Sequence, residues 1–343
     1  MIAPLLLLGI ALGPQGIRLL SPEVIAFVDP AVPVALGALG ALLGLSAGTP
    51  RAGDRRLFAA AAVETIVTAA LTGGAFVALL SFLTPAASLP PWLLPAMVAV
   101  CAVTSLAVST GSPAAPGDDA GRVIELGALL AVIAGGVLLA AAREPSLAAV
   151  LSLALQTSLA TVVLAASAWL LVSQATSDTA ERVFTVAALL LVGGAADYLS
   201  LSALLGGLLA GMLWQAAGGP ARERLRRDAL YVQRPLLVLV LVIAGARAEI
   251  TPATIGLGIG YAFLRGSGRI AGGWIAGRIA APAAPAELGL RLLPPGVLGV
   301  AFAMNGVREY GSDISALLTV VVIGTCASDL LARLARPAEV AVG

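Results

Sequence analysis

Apolar runs follow one another almost from end to end of this chain, separated by short polar stretches or by proline and glycine. A hydrocarbon core about 30 Å thick takes roughly 20 apolar residues per helix, and on that rule the pattern predicts about twelve helices. Their approximate limits are 1–17, 31–48, 57–83, 92–110, 122–142, 146–172, 183–196, 200–217, 234–248, 253–281, 288–307 and 313–335. The seventh, eighth and ninth are short, as tilted, half-spanning or wrongly bounded helices would be. The longest polar connection is 218–233 and little follows Leu334, so residues 1–343 read as a single transmembrane domain with no soluble domain. Met1-Ile2-Ala3 lacks the basic start of a signal peptide and no small-residue cleavage site follows, so the opening segment is expected to stay in the mature protein.

Composition agrees with the pattern. Hydrophobic residues make up 59% and charged residues 11% of the chain, against roughly 25% charged in ordinary soluble domains, and the mean hydropathy is +1.00. The class is an all-α polytopic membrane protein. Cytoplasmic loops collect positive charge, and the arginines sort cleanly between alternate connections. One side receives Arg51, Arg55, Arg56, Arg122, Arg182, Arg222, Arg224, Arg226, Arg227, Arg234, Arg278, Arg291, Arg333 and Arg336; the other receives only Arg18, Arg143, Arg247 and Arg308. Both termini are then cytoplasmic, and the inner membrane of a bacterial-type cell is the expected location. The basic stretch Arg222 to Arg234 reads as a positive-inside loop, in preference to a nucleic-acid or anionic-lipid patch. Cys101 and Cys326 lie within apolar helices as packed thiols and imply neither a disulfide framework nor a metal site.

Charges inside the expected helices are few enough to weigh singly. Arg265 and Arg269 stand one turn apart in the apolar stretch Ile255 to Ala281. A charge at bilayer depth is costly and usually faces a protein-lined or watery cavity. Glu64 lies roughly 12 Å into the third helix, too deep for a short acid to reach water easily. Glu125, three residues after Arg122, is either a first-turn acid favoured by the helix dipole or a functional carboxylate. Asp197 falls in the connection Ala195 to Ser200 as an interfacial or capping acid, and Asp329 is spaced to pair with Arg333 at i, i+4.

Polar breaks are the second signal, because freed carbonyls and half-helix ends coordinate ions near the midplane of many transporters. The fourth helix carries Thr104-Ser105 and then Ser109-Thr110-Gly111-Ser112-Pro113. The eleventh opens on Leu293-Pro294-Pro295-Gly296 and holds Asn305-Gly306 near its far end. Helices three to five and ten to twelve each read as long helix, interrupted helix, long helix, in opposite orientations. Such an inverted repeat points to a secondary transporter with its site where the broken helices meet. Intramembrane hydrolysis is a poor rival, since the chain has no histidine and no pair of mid-membrane aspartates, and no enzyme activity is expected.

Three stretches, Gly9-Ile-Ala-Leu-Gly-Pro-Gln-Gly16, Leu199-Ser-Leu-Ser-Ala-Leu-Leu-Gly-Gly-Leu-Leu-Ala-Gly211, and Val242-Ile-Ala-Gly-Ala-Arg247 through Arg269 to Leu293-Pro-Pro-Gly296, resemble the monovalent cation:proton antiporter family, especially its Kef-type and bacterial sodium/proton exchanger branch. The resemblance implies two crossed broken helices in a core of about 57–142 and 253–335, moving against a panel of the remaining helices that also forms a homodimer. Arg269 matches the position where relatives carry a basic residue paired with an ion-binding aspartate, and Asp197 stands near a position where relatives often have an acid. Two positions depart. The middle of the fifth helix, Ala128 to Ile133, contains no acid where relatives place an aspartate, and the family's Gly-Glu step becomes Gly296-Val297. The chain also begins where relatives have already completed one helix.

The expected function is exchange of a monovalent cation, sodium or potassium, for protons, without a cofactor or a nucleic-acid partner. Glu125 or Glu64 is expected to face Arg269 as the titrating acid, with Arg265, Thr104, Ser105, Asn305 and Asp197 as further ion- or proton-binding candidates. The alternatives are transport of another, possibly anionic, solute by the same fold, and a transport-inactive scaffold or regulatory paralogue.

Overall fold

The computed structural model describes residues 2–47, 54–83, 90–104, 118–143, 146–175, 177–198, 202–280 and 288–334. In chain order its helices are α1 (Ile2–Leu12), α2 (Pro22–Val28), α3 (Ala31–Ser46), α4 (Asp54–Leu83), α5 (Leu93–Ala102), α6 (Asp119–Arg143), α7 (Leu147–Ser173), α8 (Asp178–Tyr198), α9 (Ala203–Ala217), α10 (Gly219–Ala246), α11 (Pro252–Ala280), α12 (Leu288–Arg291), α13 (Val297–Tyr310) and α14 (Ser315–Leu334). A 3-10 turn, Gly311–Ile314, joins the last two.

Local chemistry sets several boundaries. Ser21, Ser146 and Ser202 cap α2, α7 and α9, each hydroxyl accepting from the backbone N–H three residues on. Pro22 then occupies the first turn of α2, where its missing N–H costs nothing. Gly218 and Gly219 both have positive φ, 66° and 72°, and form the corner between α9 and α10 that a side chain would strain.

Among the described residues, six helices are long and apolar enough to cross a bilayer, and α2–α3, bent by 49°, makes a seventh as a broken span. By length and composition, six or seven of the described helices therefore account for full spans, against the twelve helices expected. At 1.5 Å per residue, α1, α5 and α9 are too short to span unaided. The expected connection 218–233 is corrected, because it forms the first half of α10. Ala221, Leu225, Ala229 and Gln233 recur there every fourth residue and are buried, while the interleaved arginines hide that stripe from a hydropathy window. The short helix α2 was not expected.

Without water between helices, close backbone approach drives packing in lipid, and small residues permit it. A Cβ on Gly207 would lie 1.9 Å from the carbonyl oxygen of Gly37, and one on Gly211 2.1 Å from that of Ala41, so α3 and α9 touch through their backbones. Gly9 and Gly245 join α1 to α10 in the same way. Helices α4 and α11 run antiparallel, with Gly268 against Thr68 and Gly272 against Glu64. The main apolar core gathers Leu36, Leu39, Met97, Val132, Leu298, Phe302 and Val321 from both halves of the chain. A second cluster surrounds Trp214, whose indole N–H donates to the Ala165 carbonyl at 2.8 Å.

Ion pairs tie the ends of the bundle. At one end Arg122 of α6 meets Asp54 of α4 at 2.9 Å and also donates to the Ala47 carbonyl that closes α3. At the other end Arg247 and Arg308 both meet Asp29, and Arg143 meets Glu309 at 3.4 Å. The pair of Asp329 and Arg333 forms at 2.9 Å, one turn apart on α14.

Candidate functional site

The site is built on α11. Tyr261, Arg265 and Arg269 recur at fourth positions, share one face, and are 1%, 2% and 1% exposed. Gly268 and Gly272 bring the same helix hard against α4, where a Cβ on Gly272 would stand 3.0 Å from the Glu64 carbonyl oxygen. Two guanidinium groups are thereby buried with no lipid-facing exit.

Arg265 reaches the two breaks. Its Nη1 donates to the Leu293 carbonyl at 2.7 Å, and its Nη2 donates to those of Thr104 at 3.0 Å and Pro294 at 3.2 Å. Helix α5 stops at Ala102, and α12 stops before Leu293-Pro294-Pro295. The guanidinium therefore sits at the negative, C-terminal end of α5 and holds carbonyls from both interruptions at once. The halves meet closely nearby: a Cβ on Gly299, in the first turn of α13, would lie 2.7 Å from the Thr104 hydroxyl and 2.8 Å from the Cys101 carbonyl oxygen.

Arg269 pairs with Glu64. Its Nη1 lies 2.8 Å from Glu64 Oε1, and the Thr68 hydroxyl donates to the same oxygen at 2.8 Å. Its Nε and Nη2 are buried and without a partner. The arrangement is a one-armed ion pair with donors to spare, where a guanidinium would normally make a two-armed fork.

The remaining candidates lie elsewhere. Glu125 does not face Arg269: it is buried near the start of α6 and meets Arg122 at 3.0 Å. The Thr104 hydroxyl donates to the Cys101 carbonyl, leaving its own carbonyl for Arg265. Ser105 lies outside the described residues, as does the stretch Ser109-Thr110-Gly111-Ser112-Pro113. Asn305 donates from Nδ2 to the Ser202 hydroxyl at 3.3 Å, linking α13 to the start of α9. Asp197 falls in the last turn of α8 and not in a connection, and its side chain lies outside the description.

On α6 the stretch matching the family's aspartate is apolar in its surroundings as well as in its sequence. Ala128 and Val132 are buried in the main core with Phe302, and a Cβ on Gly135 would meet the Phe302 ring at 2.4 Å. Among the described residues no three His, Cys, Asp or Glu side chains gather as a metal site.

Three charged groups of evident structural weight escaped the reading of the sequence. Asp29, Asp54 and Glu309 stand at helix ends beside arginines, where acids are ordinary, so nothing set them apart. The one available signal was the four-residue spacing of Asn305 and Glu309, which puts both on one face of α13.

No protein-family model and no curated protein matches the sequence. Among solved structures, the chain is similar to the sodium proton antiporter MjNhaP1 from Methanocaldococcus jannaschii, with a TM-score of 0.66 at 17% identity, over 97% of this chain and 89% of that one. At that identity the likeness concerns architecture alone, and this multi-pass membrane chain shares the fold of that structure.

Proposed function

We propose that the chain is a secondary transporter that exchanges a monovalent cation, sodium or potassium, for protons. The observation that carries this reading is the buried Glu64 carboxylate, held by Arg269 and Thr68 one turn along α11 from the arginine that bridges the two breaks. Exchange needs a group that alternates between a proton and a cation. Glu64 is the buried carboxylate closest in chemistry to that task, since Arg269 holds it by one oxygen and leaves the other lone pairs for an ion. The core helices 57–142 and 253–335 would carry this site past the remaining helices, with the arginine-rich end of the bundle in the cytoplasm.

Reconstitution in proteoliposomes with a pH-sensitive dye inside tests it. Sodium or potassium gradients should drive proton movement in the wild type, and Glu64→Gln should abolish it. Glu125→Gln should leave it, since Glu125 is tied to Arg122 near the start of α6. Full cation-driven flux in Glu64→Gln would remove Glu64 from the mechanism.

One observation favours a second reading. Among the described residues, Arg265 meets only carbonyls, Arg269 meets the one carboxylate of Glu64, and Arg269 keeps two unpartnered donors. An excess of buried positive charge suits an anion. A chloride or other anion gradient that moves charge while sodium and potassium do not would favour this reading over cation exchange.

A further inference from the structure

A half-open cavity of about 210 Å³ lies between α6, α7 and α9, with Glu309 of α13 in its lining. Its walls are aliphatic apart from Arg143, Thr157, Ser158, Ser202 and Glu309. The Glu309 side chain is 10% exposed, and one of its oxygens stands 3.4 Å from Arg143 Nη2. The other oxygen, Oε2, is buried and has no partner. A buried carboxylate oxygen without a donor is costly, and either a proton or a cation relieves it.

The rest of the lining suits a cation. Thr157 and Ser158 donate their hydroxyl hydrogens to the Leu153 and Ala154 carbonyls of their own helix, so what they have left to offer is oxygen lone pairs. The Ser202 oxygen already accepts from Asn305 and from the Leu205 N–H, which fixes its position at the head of α9. Hard cations take ligands of this kind, carboxylate and neutral oxygen. The volume exceeds the roughly 30 Å³ share of one water in the liquid, so a partly hydrated monovalent ion has room.

Of the other groups at this end, Arg308 and Arg247 turn to Asp29, while Tyr310, whose hydroxyl donates to the Leu139 carbonyl, also stands against Arg143. Arg143 is the cation that meets Glu309.

We propose that Glu309 forms a monovalent-cation and proton site in this cavity, in which an incoming ion competes with the Arg143 guanidinium for the carboxylate. The site is separate from the Glu64–Arg269 pair and does not depend on the exchange reading. A cation bound between Glu309 and the Thr157 and Ser158 hydroxyls of α7 releases Arg143 toward water. A proton on Glu309 does the same and excludes the cation.

Direct binding of radioactive sodium to the purified full-length protein in detergent, with potassium and protons as competitors, tests it. The wild type should bind sodium less well as pH falls. Glu309→Gln should weaken binding by at least about tenfold, the loss expected when a charged ligand is replaced by a neutral one. Glu309→Asp should retain much of it, Arg143→Gln should tighten it, and Asp329→Asn, paired with Arg333 on α14 and outside the cavity lining, should change nothing. Thermal unfolding and size-exclusion profiles identify any variant that fails to fold, and the Arg143→Gln and pH arms then decide. Wild-type affinity in folded Glu309→Gln, weaker binding in Arg143→Gln, or no sodium binding by the wild type overturns the proposal. Glu309-dependent binding in a wild type that shows no flux upholds the site and sinks the exchange reading instead.

Discussion

Glu64 and Arg269 are each 1% exposed and hold each other through one oxygen and one nitrogen, so neither can lose its partner without leaving a bare charge buried between α4 and α11. Removing one member of a buried pair costs about 3–5 kcal/mol, whereas replacing both with neutral groups costs far less. Glu64→Gln and Arg269→Gln are each expected to lower the melting temperature in detergent strongly, and the double variant to fall by less than their sum. Strict additivity would show that the two side chains are not coupled in the folded protein. Arg269 was legible in the sequence as a buried charge, because nothing else in so apolar a stretch could be its reason. Its partner was narrowed only to Glu64 or Glu125, since the two acids sit on different helices and spacing along one helix says nothing about which faces another. The contact of Gly268 and Gly272 with α4 decided between them.

The interrupted helices set the geometry at the next scale. Gly299 is where α13 passes the end of α5, and a methyl group there would press on the Cys101 carbonyl at 2.8 Å. Backbone cannot swing aside as a flexible side chain does, so Gly299→Ala should destabilise by about 1–3 kcal/mol and loosen the Arg265 bridge. Gly207→Ala should be at least as harmful, since its methyl would meet the Gly37 carbonyl at 1.9 Å. Gly74→Ala on α4 is the matched control: nothing stands within 4 Å of its Cβ, and the helix-propensity gain of up to about 1 kcal/mol should show as a neutral or raised melting temperature. An unchanged Gly299→Ala beside an unchanged Gly74→Ala would mean the crossing is looser than drawn. The break between α12 and α13 was readable from Leu293-Pro294-Pro295-Gly296, where prolines cannot continue a helix. The helix across 219–233 was not, because four arginines in that stretch lower its hydropathy while leaving its buried stripe intact.

For the molecule as a whole, the hydrogen bond between Asn305 and Ser202 joins α13 of the expected core to α9 of the expected panel. If those two groups slide past each other during transport, fixing this contact should stop the cycle. In a protein with Cys101 and Cys326 replaced, Asn305→Cys with Ser202→Cys and a short bis-methanethiosulfonate reagent should block cation-driven flux, and dithiothreitol should restore it. Flux that persists through complete cross-linking would argue against relative movement at this boundary. The sequence by itself determined the all-helical membrane class, the proline break before α13 and the two buried arginines. Those follow from hydropathy, from the missing proline N–H and from the cost of charge in lipid, all of which act within one stretch of chain. Only the tertiary structure decided that Glu64 is the acid beside Arg269, that Arg265 spans both breaks, and that Glu309 leaves an oxygen unpartnered in a cavity. Each of those depends on which helices lie side by side, and that is settled by small residues meeting across distances of hundreds of positions, a relation that no local pattern records.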